Sequence, residues 1–155
     1  MRTTFTRLAV LIAVLLAGLA VGAGPASADP APLAAVSCTR AAQFVSGGYQ
    51  ANYVPVTSSG STNCVLAKGN NSTAVWGLQM NLNICYQRSL TTDGDFGQLT
   101  KNALIYAQGK MVTGADGVYG PDTRKKMKMY YTLSGTTPLC VVFGSRTWTF
   151  DHFQS

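Results

Sequence analysis

Glutamate is absent from the 155 residues, and histidine occurs once, as His152. The six acids are all aspartates: Asp29, Asp93, Asp95, Asp116, Asp122 and Asp151. These shortages remove the usual ingredients of several catalysts. A hydrolytic zinc centre needs several His and carboxylate ligands, which one His cannot supply. Glycoside hydrolysis needs two carboxyl groups facing each other across a sugar. Asp93 and Asp95 are too close in sequence for that, and Asp93 is wanted by a turn. Ser145, Asp151 and His152 share a short tail with no strained nucleophile turn, so a hydrolytic triad is not indicated. The chain reads as no enzyme, with no metal and no cofactor.

Long apolar runs are also scarce. The one present, Leu8 to Ala23, follows Arg2 and Arg7 and precedes the small-residue site Ala26-Ser27-Ala28. It is shorter than the roughly 20 residues that span a bilayer. Residues 1–28 are therefore expected to be a signal peptide that is removed. No membrane association is expected after that. The mature protein is expected to be secreted and extracellular, and held at the cell surface, if at all, by binding.

Close cysteine pairs are missing as well. Cys38, Cys64, Cys85 and Cys140 are separated by 26, 21 and 55 residues, which does not suit a zinc site. An even count in an exported chain favours two disulfides, with three connectivities open. Cys64 and Cys85 bracket the first helical pattern, which favours joining them and leaves Cys38 for Cys140. Once two arginines leave with the leader, ten cations face six acids, a net charge of +4. That modest excess suits an anionic envelope and carries no nucleic-acid signature.

What the chain does have is a repeat. Asp93-Gly94-Asp95-Phe96-Gly97-Gln98-Leu99-Thr100 recurs 23 residues later as Asp116-Gly117-Val118-Tyr119-Gly120-Pro121-Asp122-Thr123. Each copy reads as a turn that opens a helix. The Asp carboxylate accepts from backbone N–H groups ahead of it, the next Gly takes a positive φ, and the aromatic plugs a core. Pro121 suits a first helical position, and Thr100 and Thr123 fall in first turns.

Around the repeat, helical spacing places Val75, Leu78, Leu82 and Cys85 on one face of a helix over about Thr73 to Tyr86, with Ser72 or Thr73 as its cap. Thr100, Leu104, Ala107 and Met111 form a stripe after Gly97, and a third, short pattern after Gly120 carries Met127, Tyr130 and Tyr131. Residues 29–63, rich in Ala, Ser, Gly, Thr and Pro, read as an extended N-terminal arm. Residues 64–133 form the helical domain. Residues 134–155 read as a β-like C-terminal tail packed on it, through Val141-Val142-Phe143 and the alternation from Thr147 to Phe153.

Lys68-Gly69, Val75, Leu78-Gln79, Leu82-Asn83, the first turn, Ala103-Leu104, Gln108, and the second turn followed by Arg124 together resemble the small peptidoglycan-binding domain of bacterial wall hydrolases and secreted actinobacterial proteins. The resemblance covers about residues 64 to 130. It implies a three-helix bundle that clings to the wall without cutting it. The fold expected is thus mainly α, a three-helix bundle with an internal repeat, an extended arm, a short β-like tail and two disulfides. The partner expected is peptidoglycan or a related envelope glycan. The turn residues Asp93, Gly94, Phe96, Gly97, Thr100, Asp116, Gly117, Tyr119, Gly120 and Thr123 read as structural. Ligand contacts are expected from Gln79, Asn83, Tyr86, Tyr106 and Arg124 near the helix edges, where amides meet sugar hydroxyls, aromatics meet C–H faces and Arg meets carboxylates.

One feature breaks the simple pattern. Trp76, Met80 and Ile84 lie nearly opposite the Val75/Leu78/Leu82 stripe, so the first helix is apolar on two sides. Cover by the arm or tail is the plain explanation. Exposure would instead suit a secreted protein-interaction or inhibitor module on the same scaffold, working through this helix or through Trp148 and Phe150. Arg124-Lys125-Lys126 with Lys128 reads as a solvated face or as a contact for an anionic polymer.

Overall fold

The computed structural model describes residues 35–46, 48–133, 139–143 and 149–151, with residues 133 and 149–151 described by backbone alone. The expected leader at 1–28, Trp148 and His152 lie outside them.

Two strands come first, β1 (Arg40–Ser46) and β2 (Tyr49–Val56). Three helices follow, α1 (Thr73–Tyr86), α2 (Gln98–Lys110) and α3 (Pro121–Lys126). The chain then returns to strand in β3 (Lys128–Leu133), β4 (Leu139–Val142) and β5 (Thr149–Asp151). All pairings are antiparallel and give one five-stranded sheet in the order β4-β3-β2-β1-β5.

The expectation of a mainly α three-helix bundle is overturned. The first two helices fall on their expected patterns, but the third ends before Met127, Tyr130 and Tyr131, the residues read as its apolar face, and the arm, the chain after α3 and the tail combine into a sheet that forms the other half of the structure. The composition of the arm hides its pairing. Ala42, Phe44, Ala51, Val54 and Val56 bury their side chains along β1 and β2, and Gly48 supplies a positive φ of 80° between the strands. The third helix stops at Lys126 because Met127 turns extended, with φ −71° and ψ 134°. Met129, Tyr130, Tyr131 and Thr132 then suit a pleated, half-buried surface better than a helix.

A bulge interrupts the central pair. Ala42 pairs with Val54 and Phe44 with Ala51, so Asn52 and Tyr53 together oppose Gln43. Tyr53 takes a left-handed φ of 62°, uncommon for a bulky residue. Its carbonyl is turned into α1. Asn81 Nδ2 donates to Tyr53 O at 3.0 Å, and Asn81 Oδ1 accepts from Tyr130 N at 2.7 Å. A fully buried asparagine thus ties β2 and β3 to the helix. A Cβ on Gly77 would lie 2.7 Å from Tyr53 O and 2.9 Å from Ala41 Cβ, so the missing side chain is what lets helix and sheet approach.

Between the layers, Leu66, Val75, Leu78, Leu82, Phe96, Leu104, Tyr119, Met127, Met129 and Tyr131 are fully buried. Burying each such aliphatic side chain contributes about 1.5–3 kcal/mol.

The favoured cysteine pairing is also corrected. The bonds are Cys38–Cys64 and Cys85–Cys140. The arm folds back so that Ser37 bridges Val65 in parallel and Cys38 N donates to Val65 O at 3.0 Å, which sets Cys38 beside Cys64. Cys85, in the last turn of α1, meets Cys140 on β4. In the chain-entropy model, closing loops with separations of 26 and 55 contributes about 3.5 and about 4 kcal/mol.

Candidate functional site

Two helix glutamines hold the two turns in the same way. Gln79 Nε2 donates to Asp93 Oδ1 (2.8 Å), Asp95 O (3.0 Å) and Thr100 Oγ1 (3.2 Å), while its Oε1 accepts from Gly94 N (3.0 Å). Gln108 Nε2 donates to Asp116 Oδ1 (2.8 Å), Val118 O (3.0 Å) and Thr123 Oγ1 (3.1 Å), while its Oε1 accepts from Gly117 N (2.8 Å). Asp93 Oδ1 also accepts from Asp95 N, and Asp116 Oδ1 from Val118 N, each at 2.9 Å. Gly94 and Gly117 take φ of 76° and 73°, and Phe96 and Tyr119 are fully buried. The repeat is therefore a repeat of contacts as well as of letters.

Electrostatics follow this geometry. The Gln79 amide and the Asp95 N–H hold the Asp93 carboxyl below the usual carboxylate range. Partial burial pushes Asp116 up, but Val118 N–H, the Gln108 amide and Lys101 outweigh it and leave that carboxyl lowered too.

The five ligand-side residues do not converge on one point. Gln79 is 1% exposed, at the base of a hollow of about 240 Å³ shared with Asp93, Asp95 and Thr100. Asn83 clamps the loop after α1, donating to Leu90 O and accepting from Leu90 N at 2.8 Å each. Arg124 lies over the Phe143 ring at 5.5 Å, and its buried Nε has no partner among the described residues. Tyr86 and Tyr106 do come together, in a groove of about 510 Å³.

That groove is the best-formed candidate site. Cys85, Tyr86 and Gln87 from the end of α1, Tyr106, Lys110 and Met111 from α2, Lys126 from α3, Lys128 from β3 and Val142 from β4 line it. Among the described residues, no acid lines it. Tyr106 is 42% exposed, with the Arg88 guanidinium 3.9 Å above its ring and Lys110 Nζ 5.3 Å away. Such cation–aromatic contacts fix the ring's position. Tyr86 is mostly buried and its hydroxyl accepts from Lys128 N at 2.7 Å. Burial pushes that phenol's pKa up, with the Lys128 N–H pulling the other way. Lys126 Nζ donates to Val112 O at 3.2 Å. The groove can thus offer a flat ring and three ammonium groups to an anionic, oxygen-rich ligand.

Sequence reasoning passes over Lys110, weighs Lys128 only as part of a basic face of the third helix, and places Val142 only in the tail. Two of these sit on strands that the expected bundle did not contain, and the signal available was the Lys126/Lys128 alternation running into Met129-Tyr130-Tyr131. Among the described residues, no group of three His, Cys, Asp or Glu could hold a metal ion, and no helix is long and apolar enough to cross a membrane.

No curated protein matches the chain. One solved structure similar to it is the 2.05 Å crystal structure of a peptidoglycan-binding protein from Clostridioides difficile in complex with glutamine hydroxamate, at 26% identity and a TM-score of 0.40. That match covers 49% of this chain and 48% of the other, so the chain spans about half the length of that protein. Residues 71–127 match the family model described as "Putative peptidoglycan binding domain". They hold both turns, both glutamines and most of the groove, and this segment of the chain is similar to that family.

Proposed function

We propose that the protein is secreted, has no catalytic activity, and binds peptidoglycan or a related envelope glycan through the groove between α1, α2 and β3. The observation that carries this is the groove's composition: an exposed Tyr106 fixed beneath Arg88, with Lys110, Lys126 and Lys128 and, among the described residues, no acid. A sugar's C–H face rests on such a ring, and the carboxylates of stem peptides or of attached wall polymers suit the ammonium groups. The family of residues 71–127 supports the same ligand class.

Sedimentation of the protein with purified sacculi, before and after muramidase digestion, tests this. The expected result is co-sedimentation that disappears on digestion and weakens in Tyr106→Ala. Failure to sediment would overturn the reading, and loss of sacculus turbidity caused by the protein itself would overturn its noncatalytic part.

A further inference from the structure

We propose a second carbohydrate subsite, distinct from the groove, in the hollow where β1 meets the start of α1, taking a hexopyranose ring that bears a carboxylate. The inference rests on the wall-binding reading above. The hollow, about 480 Å³, is lined by Arg40, Ala41, Thr73 and Trp76. Its walls are apolar apart from the Arg40 guanidinium and the Thr73 hydroxyl, and the latter donates to Thr39 O at 3.3 Å. Arg40 donates only to Ser58 O, at 3.3 Å, and makes no ion pair among the described residues. The Trp76 indole N–H donates to none of them. A flat apolar face, a cation with no ion pair and an indole N–H with no acceptor among the described residues lie together at one edge of the fold.

The indole is held in place from behind. Tyr53 meets Trp76 edge to face, with centroids 5.0 Å apart at 86°, and Tyr130 stacks on Tyr53 at 5.9 Å and 8°. Tyr53 reaches this position only through the bulge and its left-handed φ, which Asn81 and the absent side chain of Gly77 hold in place. Strained backbone fixed by its surroundings to aim a side chain is characteristic of binding sites. A held indole loses little freedom on binding. Charge complementarity selects the occupant: among the described residues the one charged group in the hollow is a guanidinium, which pairs with a carboxylate in a planar fork, while the indole covers the ring's C–H face. Arg40, Tyr53 and Tyr130 lie outside residues 71–127, so the matched family does not imply this subsite.

The test uses two sugars that share a ring and differ in one acid, N-acetylmuramic acid and N-acetylglucosamine. Trp76 fluorescence is followed in the Trp148→Phe chain, where it is the sole tryptophan, and amide shifts of Thr73 and Trp76 are followed in the unsubstituted chain, which needs no substitution to fold. The expected result is a saturable response to the acid sugar, with affinity for the neutral one about tenfold weaker, as loss of one charge-assisted contact implies. Arg40→Gln, with its melting temperature unchanged, should erase that difference. No response, an equal response to both sugars, or preference for the acid sugar in Arg40→Gln overturns the proposal. Sacculus sedimentation in parallel separates the two ideas. A chain that sediments through Tyr106 yet shows no response at Trp76 refutes the second subsite and leaves the groove reading standing. A response at Trp76 without sedimentation refutes the groove.

Discussion

The side-chain amide of Gln79 reaches Asp93 Oδ1 at 2.8 Å and holds the first turn from inside the fold, as Gln108 holds the second through Asp116. Each glutamine makes four hydrogen bonds to its turn. Gln79→Ala and Gln108→Ala should therefore each cost about 2–4 kcal/mol in urea unfolding, because buried partners such as Gly94 N and Gly117 N lose their acceptors. Gln79→Glu should lose more at pH 7 than near pH 4, since its carboxylate would face that of Asp93. A cost below 0.5 kcal/mol for either alanine variant would mean that the turns hold without them.

Acid should weaken the fold through the same two carboxyls. Both titrate below the ordinary range when folded, so on acidification the unfolded chain takes up protons first. Their contribution is whole above about pH 5 and is lost as pH falls past the ordinary value of about 4 and through the lowered ones. Melting temperature measured against pH should drop steeply there, and the paired Asp93→Asn and Asp116→Asn variant should flatten that part of the curve.

How much of this was legible without coordinates depends on distance along the chain. Asp-Gly-aromatic-Gly is local chemistry, as are the cap at Ser72, which accepts from Val75 N, and the spacing of Val75, Leu78 and Leu82. The sheet is different. Phe44 pairs with Phe150 and Tyr49 with Leu133, and no window of sequence contains both partners. The cysteines show the same limit: bracketing of the first helix favours Cys64 with Cys85, whereas the bridge of Ser37 to Val65 and the place of Cys140 on β4 decide the pairing. Of the groove, Tyr86 and Tyr106 could be picked out by chemistry, but Lys128 and Val142 became lining residues only once their strands existed.

The apolar second side of α1 has a split outcome. The arm does pack on the helix, but against Gly77 and Asn81, leaving Trp76 half-buried over Tyr53 and Ile84 38% exposed. Gly77→Ala should push the layers apart and cost about 1–3 kcal/mol, the usual range for overpacking. Tyr53→Gly, which relieves the positive φ, should lose less stability than Tyr53→Ala. Guanidinium unfolding of the three variants checks both.

Removing the Cys85–Cys140 bond should lower stability by about 4 kcal/mol on the chain-entropy estimate and free one wall of the groove. The Cys85→Ala/Cys140→Ala variant should melt lower and bind sacculi more weakly. The Cys38→Ala/Cys64→Ala variant should melt lower yet bind as before at temperatures where it is folded.

Groove lysines act through charge. Lys126→Ala/Lys128→Ala should reduce sacculus binding several-fold and blunt its dependence on salt, while leaving the melting temperature within a few degrees. Sedimentation across a sodium chloride series measures both effects.

The order of strands also sets a timetable for synthesis. The hairpin of β1 and β2 leaves the ribosome early, yet both its edges are completed by chain made after the helices. At about 5–20 residues per second, Phe150 follows its partner Phe44 by about 5 to 20 s. Through that interval the young hairpin has two open flanks, each able to accept a stray strand. A transcript cut short within the last few dozen codons would therefore yield a sticky product instead of a smaller working one.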